Sequence, residues 1–268
     1  LISKSKTKQH TPGVLMKKKR PFILLIILFG LLSIFSVSII LFYQIDKRKN
    51  EPKLWIGFFD YRLNFRDVGQ SLNTCLGDDA FHTKKIYRSN KYFSGWSCNK
   101  IHNVDKIYSF NYSPWDPKRY YCLKPDGSRQ YGIQKNSDFE LTQIEDLAKW
   151  QNPQFQKAMC SYFEDTINDL IYYRSFLFHC DVGRDRTGAF AAMLVMSLAE
   201  NKDLRLDKIR DAIECDYQKT SALEPFKRGS MKSFLEKTQN EIPIWKFIEK
   251  KCSIPQEKFA LAAQYFIK

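Results

Sequence analysis

The sequence contains no internal repeat and no low-complexity tract. That excludes a solenoid, in which each unit buries its hydrophobic face only against its neighbours. None of the seven cysteines stands in a C-x-x-C spacing, which argues against a structural zinc site. No metal and no cofactor is expected. The charge gives no reason to infer a nucleic-acid partner either. The formal net charge is +14 over 268 residues, but residues 1–53 hold eleven Lys and Arg against two acids. The remaining residues carry only +5, so the basic character is concentrated at one end.

One stretch lacks charge altogether. Phe22 to Tyr43 reads FILLIILFGLLSIFSVSIILFY, which is long enough to span a bilayer. It is apolar on every face, unlike a surface helix of a soluble domain. A cleaved signal peptide has a shorter apolar core and a small-residue cleavage site, whereas this run ends in Leu41-Phe42-Tyr43. Lys17-Lys18-Lys19-Arg20 precede it and Lys47-Arg48-Lys49 follow it. Such flanks suit anionic headgroups or act as a stop signal for insertion. The expected organisation is a basic polar tail (1–21), a single transmembrane helix (22–43), a charged linker (44–53) and a globular domain (54–268). The first flank is slightly more basic. The positive-inside tendency therefore puts the amino terminus in the cytoplasm and the globular part outside it.

The globular part is expected to be an α/β domain with a short central sheet flanked by helices. Asn64 to Gly69 reads as a short strand closing on a Gly turn, and Lys85–Ser89 and Val104–Phe110 as further strands. Ser113–Ser128 reads as irregular, and Tyr131–Ile133 as a short strand leading into a loop at Gln134–Asp138. Phe155, Met159, Phe163, Ile167, Leu170 and Ile171 recur at helical spacing, so a helix is expected over 152–173. Phe176-Leu177-Phe178 is a fully apolar run, as in a strand buried on both faces. Helices are then expected over 189–200, 206–217, 231–238, 244–250 and 256–266.

Between the apolar strand and the helix at 189 stands HCDVGRDRTG, His179 to Gly188. A loop between the carboxyl end of a strand and the amino end of a helix collects unpaired N–H groups and the positive end of the helix dipole. Both favour an anion. Gly183 permits the backbone angles that turn successive N–H groups inward, so residues 181–184 (Asp181, Val182, Gly183, Arg184) are candidate anion ligands. Cys180 at the mouth of such a nest is expected to be largely thiolate near neutrality. The planar fork of Arg186 can hold two phosphate oxygens, and Thr187 can offer its hydroxyl to the sulfur. This constellation fits attack of sulfur on phosphorus followed by hydrolysis. Asp181 reads as structural. Asp185 reads either as a proton donor to the leaving oxygen or as a brace for the loop. Arg184 partly offsets the two acids and can reach a second anionic group. If Cys180 is the reactive thiol, Cys75, Cys98, Cys122, Cys160, Cys215 and Cys252 remain, which either pair in an oxidising compartment or stay reduced.

At these residues the sequence resembles the cysteine-dependent phosphatases with a C-x5-R loop. It is most similar in kind to bacterial tyrosine and lipid phosphatases of the dual-specificity type, whose loop reads H-C-x-x-G-K-D-R-T-G. Arg184 stands where Lys is usual. Asn64-Phe65-Arg66-Asp67-Val68-Gly69 looks like their N-F-R-D-L-G segment, and Tyr87-Arg88-Ser89 like the Y-R-S that follows it. The resemblance covers about Leu54 to the end. It implies a dual-specificity-phosphatase-like fold, with Cys180 as nucleophile, Arg186 as clamp, and His179, Arg66 and Asp67 in support. Arg66 and Asp67 also read as a plain ion pair at a turn, and His179 as a buried core residue. Many relatives carry the general acid in a W-P-D loop, which this chain lacks. Trp115-Asp116-Pro117 has those letters in another order, and Asp138 is better placed, so Asp185 stands first as the acid, Asp138 second and Asp146 behind them. The function implied is a membrane-anchored phosphatase acting on phosphotyrosine or phosphoserine/threonine proteins. The alternatives are a phosphoinositide or inositol-phosphate phosphatase and an inactive phosphate-binding module. A rhodanese-like sulfur transferase fits the Arg-Thr-Gly ending poorly.

Overall fold

The computed structural model describes Gly30 and residues 63–112, 119–136, 138–220 and 227–268. The chain divides into two units, Leu1–Lys53 and Leu54–Lys268. Apart from Gly30, the apolar segment 22–43 lies outside the described residues, as does Trp115-Asp116-Pro117. Among the described residues no helix is long and apolar enough to cross a membrane.

The second unit is a mixed α/β fold around a five-stranded sheet. Its strands are β1 (Arg66–Asp67), β2 (Ile86–Ser89), β3 (Lys106–Ser109), β6 (Ile133–Gln134) and β7 (Phe176–His179), in the order β1-β2-β7-β3-β6. β7 is central and pairs in parallel with β2 and β3, and its Phe176, Leu177 and Phe178 are fully buried. An all-apolar strand fits only there, where both faces meet core. β4 (Tyr121–Leu123) and β5 (Arg129–Tyr131) form a separate antiparallel pair.

The helices are α1 (Val68–Leu76), α2 (Pro153–Ile171), α3 (Asp185–Ala199), α4 (Leu206–Gln218), α5 (Ser230–Glu241), α6 (Ile244–Cys252) and α7 (Gln256–Phe266). Asn152 caps α2 by accepting from the backbone N–H groups of Gln154 and Phe155, and Pro153 occupies the first turn, where its missing donor costs nothing. From Thr187 onward α3 is buried on every face, which makes it the hub of the main core.

Three local expectations change. Gly69 does not close a turn. β1 is two residues long and α1 starts at Val68, with Asp67 as its N-cap accepting from the Gln70 N–H at 3.1 Å. A Cβ on Gly69 would lie 2.3 Å from the His82 carbonyl oxygen, so close backbone approach is what requires glycine there. The stretch expected to be irregular contains β4. The strand expected at Tyr131–Ile133 is split at Gly132 between β5 and β6.

The six cysteines outside the loop are paired: Cys75–Cys215 joins α1 to α4, Cys98–Cys122 ties a short 3-10 turn to β4, and Cys160–Cys252 joins α2 to α6. Cys180 is the one free cysteine.

Candidate active site

The parallel strands β3, β6 and β7 end on one side of the sheet, where loops from different parts of the chain converge. The loop after β7 turns through Gly183, whose φ is +70°. A Cβ there would lie 2.6 Å from the Ser89 carbonyl carbon and oxygen and 2.7 Å from the Asn90 nitrogen. Glycine is therefore required twice, for its angle and for the approach of the loop to the end of β2. The Gly183 N–H donates to Cys180 Sγ at 3.2 Å, so this amide points at the sulfur. Gly188 has a packing role in the first turn of α3, since a Cβ would lie 2.7 Å from the Tyr217 ring.

Arg186 stands in the first turn of α3 and reaches across the mouth of the loop. Its Nη1 donates to the Phe110 carbonyl at 3.1 Å, and its Nη2 to Asp181 Oδ2 at 2.9 Å. Glu140, from the loop after β6, places Oε1 3.0 Å from the same nitrogen.

The two loop acids have separate partners. Asp181 faces Lys91 Nζ at 2.7 Å, Arg186, and the side-chain amide of Asn111 at 3.1 Å. Burial pushes its carboxyl up, but Lys91 and Arg186 outweigh this and hold it below the ordinary value. Asp185 accepts from Arg184 Nε and Nη2 at 3.0 and 2.9 Å, from Lys227 at 2.9 Å and from the Tyr217 hydroxyl at 2.8 Å. Burial again pushes upward and is outweighed, leaving Asp185 at about 2. Both acids are ionised at neutral pH and offset cations of the loop and its surroundings. The side chain of Arg184 is engaged by its own neighbour.

Supporting residues lie beneath. His179 is fully buried, edge-on to Phe93 and Tyr120, and burial lowers it to about 3, so it is neutral. Thr187 is buried and donates to the Arg184 carbonyl at 3.3 Å. Arg66 and Asp67 do not form an ion pair at a turn. Arg66 Nε donates to Asp216 Oδ1 at 2.7 Å, while Asp67 accepts backbone N–H groups of Gln70 and Lys84. Asp216 also meets Arg88 Nη1 at 2.7 Å. Burial would raise its carboxyl, yet Arg66 and Arg88 hold it far below the ordinary value.

Asp138 is exposed on the loop that carries Glu140. Asp146 caps a 3-10 turn at Leu147–Gln151, accepting from the Ala148 N–H at 3.0 Å. Among the described residues no group of His, Cys, Asp and Glu could hold a metal.

Sequence reasoning missed Lys91, Asn111, Glu140, Asp216, Tyr217 and Lys227. Only Asp216 left a signal: Ile209, Ala212 and Ile213 set an apolar stripe on α4, and an acid stands at its next position.

No curated protein matches this chain. The family model described as the tyrosine phosphatase family matches residues 124–266, a span just over half the chain that includes the Cys180–Arg186 loop, β7 and every helix from α2 to α7. The match begins after the Asn64–Gly69 and Tyr87–Ser89 segments, yet both pack against this loop, Gly183 meeting the end of β2 and Asn64 bonding to Val182 and Gly183. Loop, strand, helix and family model coincide on the same residues, and the chain belongs to the tyrosine phosphatase family.

Proposed function

We propose that this chain is a membrane-anchored, cysteine-dependent phosphatase that hydrolyses phosphate monoesters on proteins, with tyrosine or dual specificity. The observation that carries this reading is the Gly183 N–H aimed at Cys180 Sγ, at the strand–helix junction that also presents Arg186. In the first step the Cys180 thiolate attacks phosphorus and the bond to the leaving oxygen breaks, while loop amides and Arg186 share the charge that builds on the phosphoryl oxygens. The leaving oxygen takes a proton. In the second step water attacks phosphorus, the S–P bond breaks, and the water's proton passes to a base.

Asp185 at about 2 is ionised at neutral pH, which suits the base of the second step better than the acid of the first. For the donor we look to the loop after β6, where Glu140 reaches Arg186 and Asp138 stands exposed. Asp185→Asn, Asp138→Asn and Glu140→Gln, each assayed with good and poor leaving groups, assign the roles. The donor's variant loses only the poor leaving groups.

The phosphoinositide reading asks for a side chain facing a second phosphate. Arg184 is turned to Asp185 instead, which favours protein substrates. A panel of phosphopeptides against phosphoinositide liposomes tests the choice. The apolar segment 22–43 supports the anchor. Three disulfides support a catalytic domain on the oxidising side of the membrane, in agreement with the charge asymmetry around that segment. Cys180→Ser is expected to abolish turnover of an aryl phosphate while retaining ligand, and normal turnover by that variant would overturn the mechanism. Arg186→Lys keeps the charge but loses the fork, and is expected to lose about 10²-fold or more in kcat.

A further inference from the structure

The loop amides have to be held facing the phosphate, and the buried charges beneath them have no role in the chemistry above. We propose that Asn64 and an arginine–aspartate–arginine network of Arg88, Asp216 and Arg66 form the positioning device that aims those amides. The inference rests on Cys180 and Arg186 acting as nucleophile and clamp.

Across a trans peptide the carbonyl of one residue and the N–H of the next point to opposite sides. Whatever pins a carbonyl at the back of the loop therefore turns the following N–H to the front. Asn64 Nδ2 donates to the carbonyls of Val182 and Gly183 at 3.1 and 2.6 Å. Arg88 Nη2 reaches the carbonyls of Gly183 and Arg184 at 3.0 Å each, and Thr187 Oγ1 at 3.2 Å. Three consecutive carbonyls are thus held behind the loop, which sends the N–H groups of Gly183, Arg184 and Asp185 forward. The first of them is the amide that meets Cys180 Sγ.

The donors are themselves fixed. Arg88 and Arg66 are buried, and two guanidinium groups in one interior repel unless an anion lies between them. Asp216 supplies it, with one oxygen on each arginine and a further hydrogen bond from Ser71 Oγ at 2.5 Å. Arg66 Nη1 then donates to Asn64 Oδ1 at 2.5 Å, which orients the Asn64 amide so that its nitrogen faces the loop. The chain of contacts runs unbroken from α4 to the anion-binding backbone. Cys75–Cys215 ties α4 to α1 one residue from Asp216.

The test uses the full chain with inorganic tungstate as a non-reacting oxyanion. Arg88→Lys keeps the charge and cannot span both Asp216 and the loop. It is expected to raise the tungstate inhibition constant about tenfold and to lower kcat about a hundredfold, measured well below its melting temperature. Asn64→Gly keeps the left-handed backbone (φ +50° at Asn64), retains every buried charge, and is expected to weaken tungstate by a similar factor. A purely structural role would move the melting temperature of both variants and leave the inhibition constant alone, and that result overturns the proposal. If Arg88→Lys does not fold, Asn64→Gly decides by itself. Cys180→Ser is run alongside. If it turns over normally, the phosphatase mechanism falls and this inference with it. If it is inactive while the other two variants bind tungstate and turn over like the parent, the network's role falls alone.

Discussion

The front and the back of the Cys180–Arg186 loop are both lined with ion pairs, but they are built differently. At the front, Lys91, Asp181 and Glu140 have side chains 31, 38 and 51% exposed. At the back, Arg66, Arg88 and Asp216 are 2, 1 and 5% exposed. Water screens the first set, so those pairs contribute about 0–1 kcal/mol each and can open. Among the second set, removing one partner strands a charge without solvent and costs about 3–5 kcal/mol. On the proposed mechanism an incoming phosphate displaces these carboxylates from Arg186. The buried back is expected to stay in place when an anion binds, which would fix the shape of the loop in advance.

Four experiments break or sharpen that contrast. Asp216→Asn leaves two buried guanidinium groups with one neutral partner and is expected to destabilise the domain by about 3–5 kcal/mol, read from chemical denaturation with the disulfides intact. A loss under 1 kcal/mol would mean that the back behaves like the front. Gly183→Ala drives a methyl into the Ser89 backbone at a left-handed position and is expected to cut kcat about a hundredfold. Wild-type rates there would show that the loop yields. Acid should act first through the buried His179. His179 is held at about 3 against an ordinary 6.5, so the unfolded chain takes up a proton that the fold refuses. The His179 contribution is full above pH 6.5 and declines as pH falls toward 3, with Asp185 adding a further loss between about 3.8 and 2. A melting temperature flat from pH 7 to 4 would contradict this, and His179→Asn is expected to remove the upper part of the decline. The smallest effect belongs to the front. Asp181→Asn frees Arg186 of one competing carboxylate and is expected to tighten tungstate by a few-fold at nearly unchanged stability, while weaker binding would make Asp181 a support of the anion site.

The sequence was most informative where chemistry is local. The all-apolar Phe176–Phe178 run declared a central strand, the helical spacing from Phe155 to Ile171 declared α2, and HCDVGRDRTG declared a tight strand-to-helix turn. It was least informative where partners meet only through folding. Asp216 lies 128 residues from Arg88 and 150 from Arg66, and no spacing rule links them. The helix at Val68–Leu76 was hidden because its amino end reads as a strand closing on glycine, and its Asp67 cap is visible only once the backbone turns. Glu140 is a surface carboxylate in a loop, distinguished from other acids only by the arginine it meets.

The three disulfide bridges leave one sulfhydryl in the whole chain, and it belongs to the loop. Titrating thiols without reducing agent is therefore expected to return one equivalent per molecule, and on the proposed mechanism that equivalent is the nucleophile. The same arrangement sets a hazard at the bench: dithiothreitol added to keep that one sulfur reduced also attacks the linkages that secure the other six.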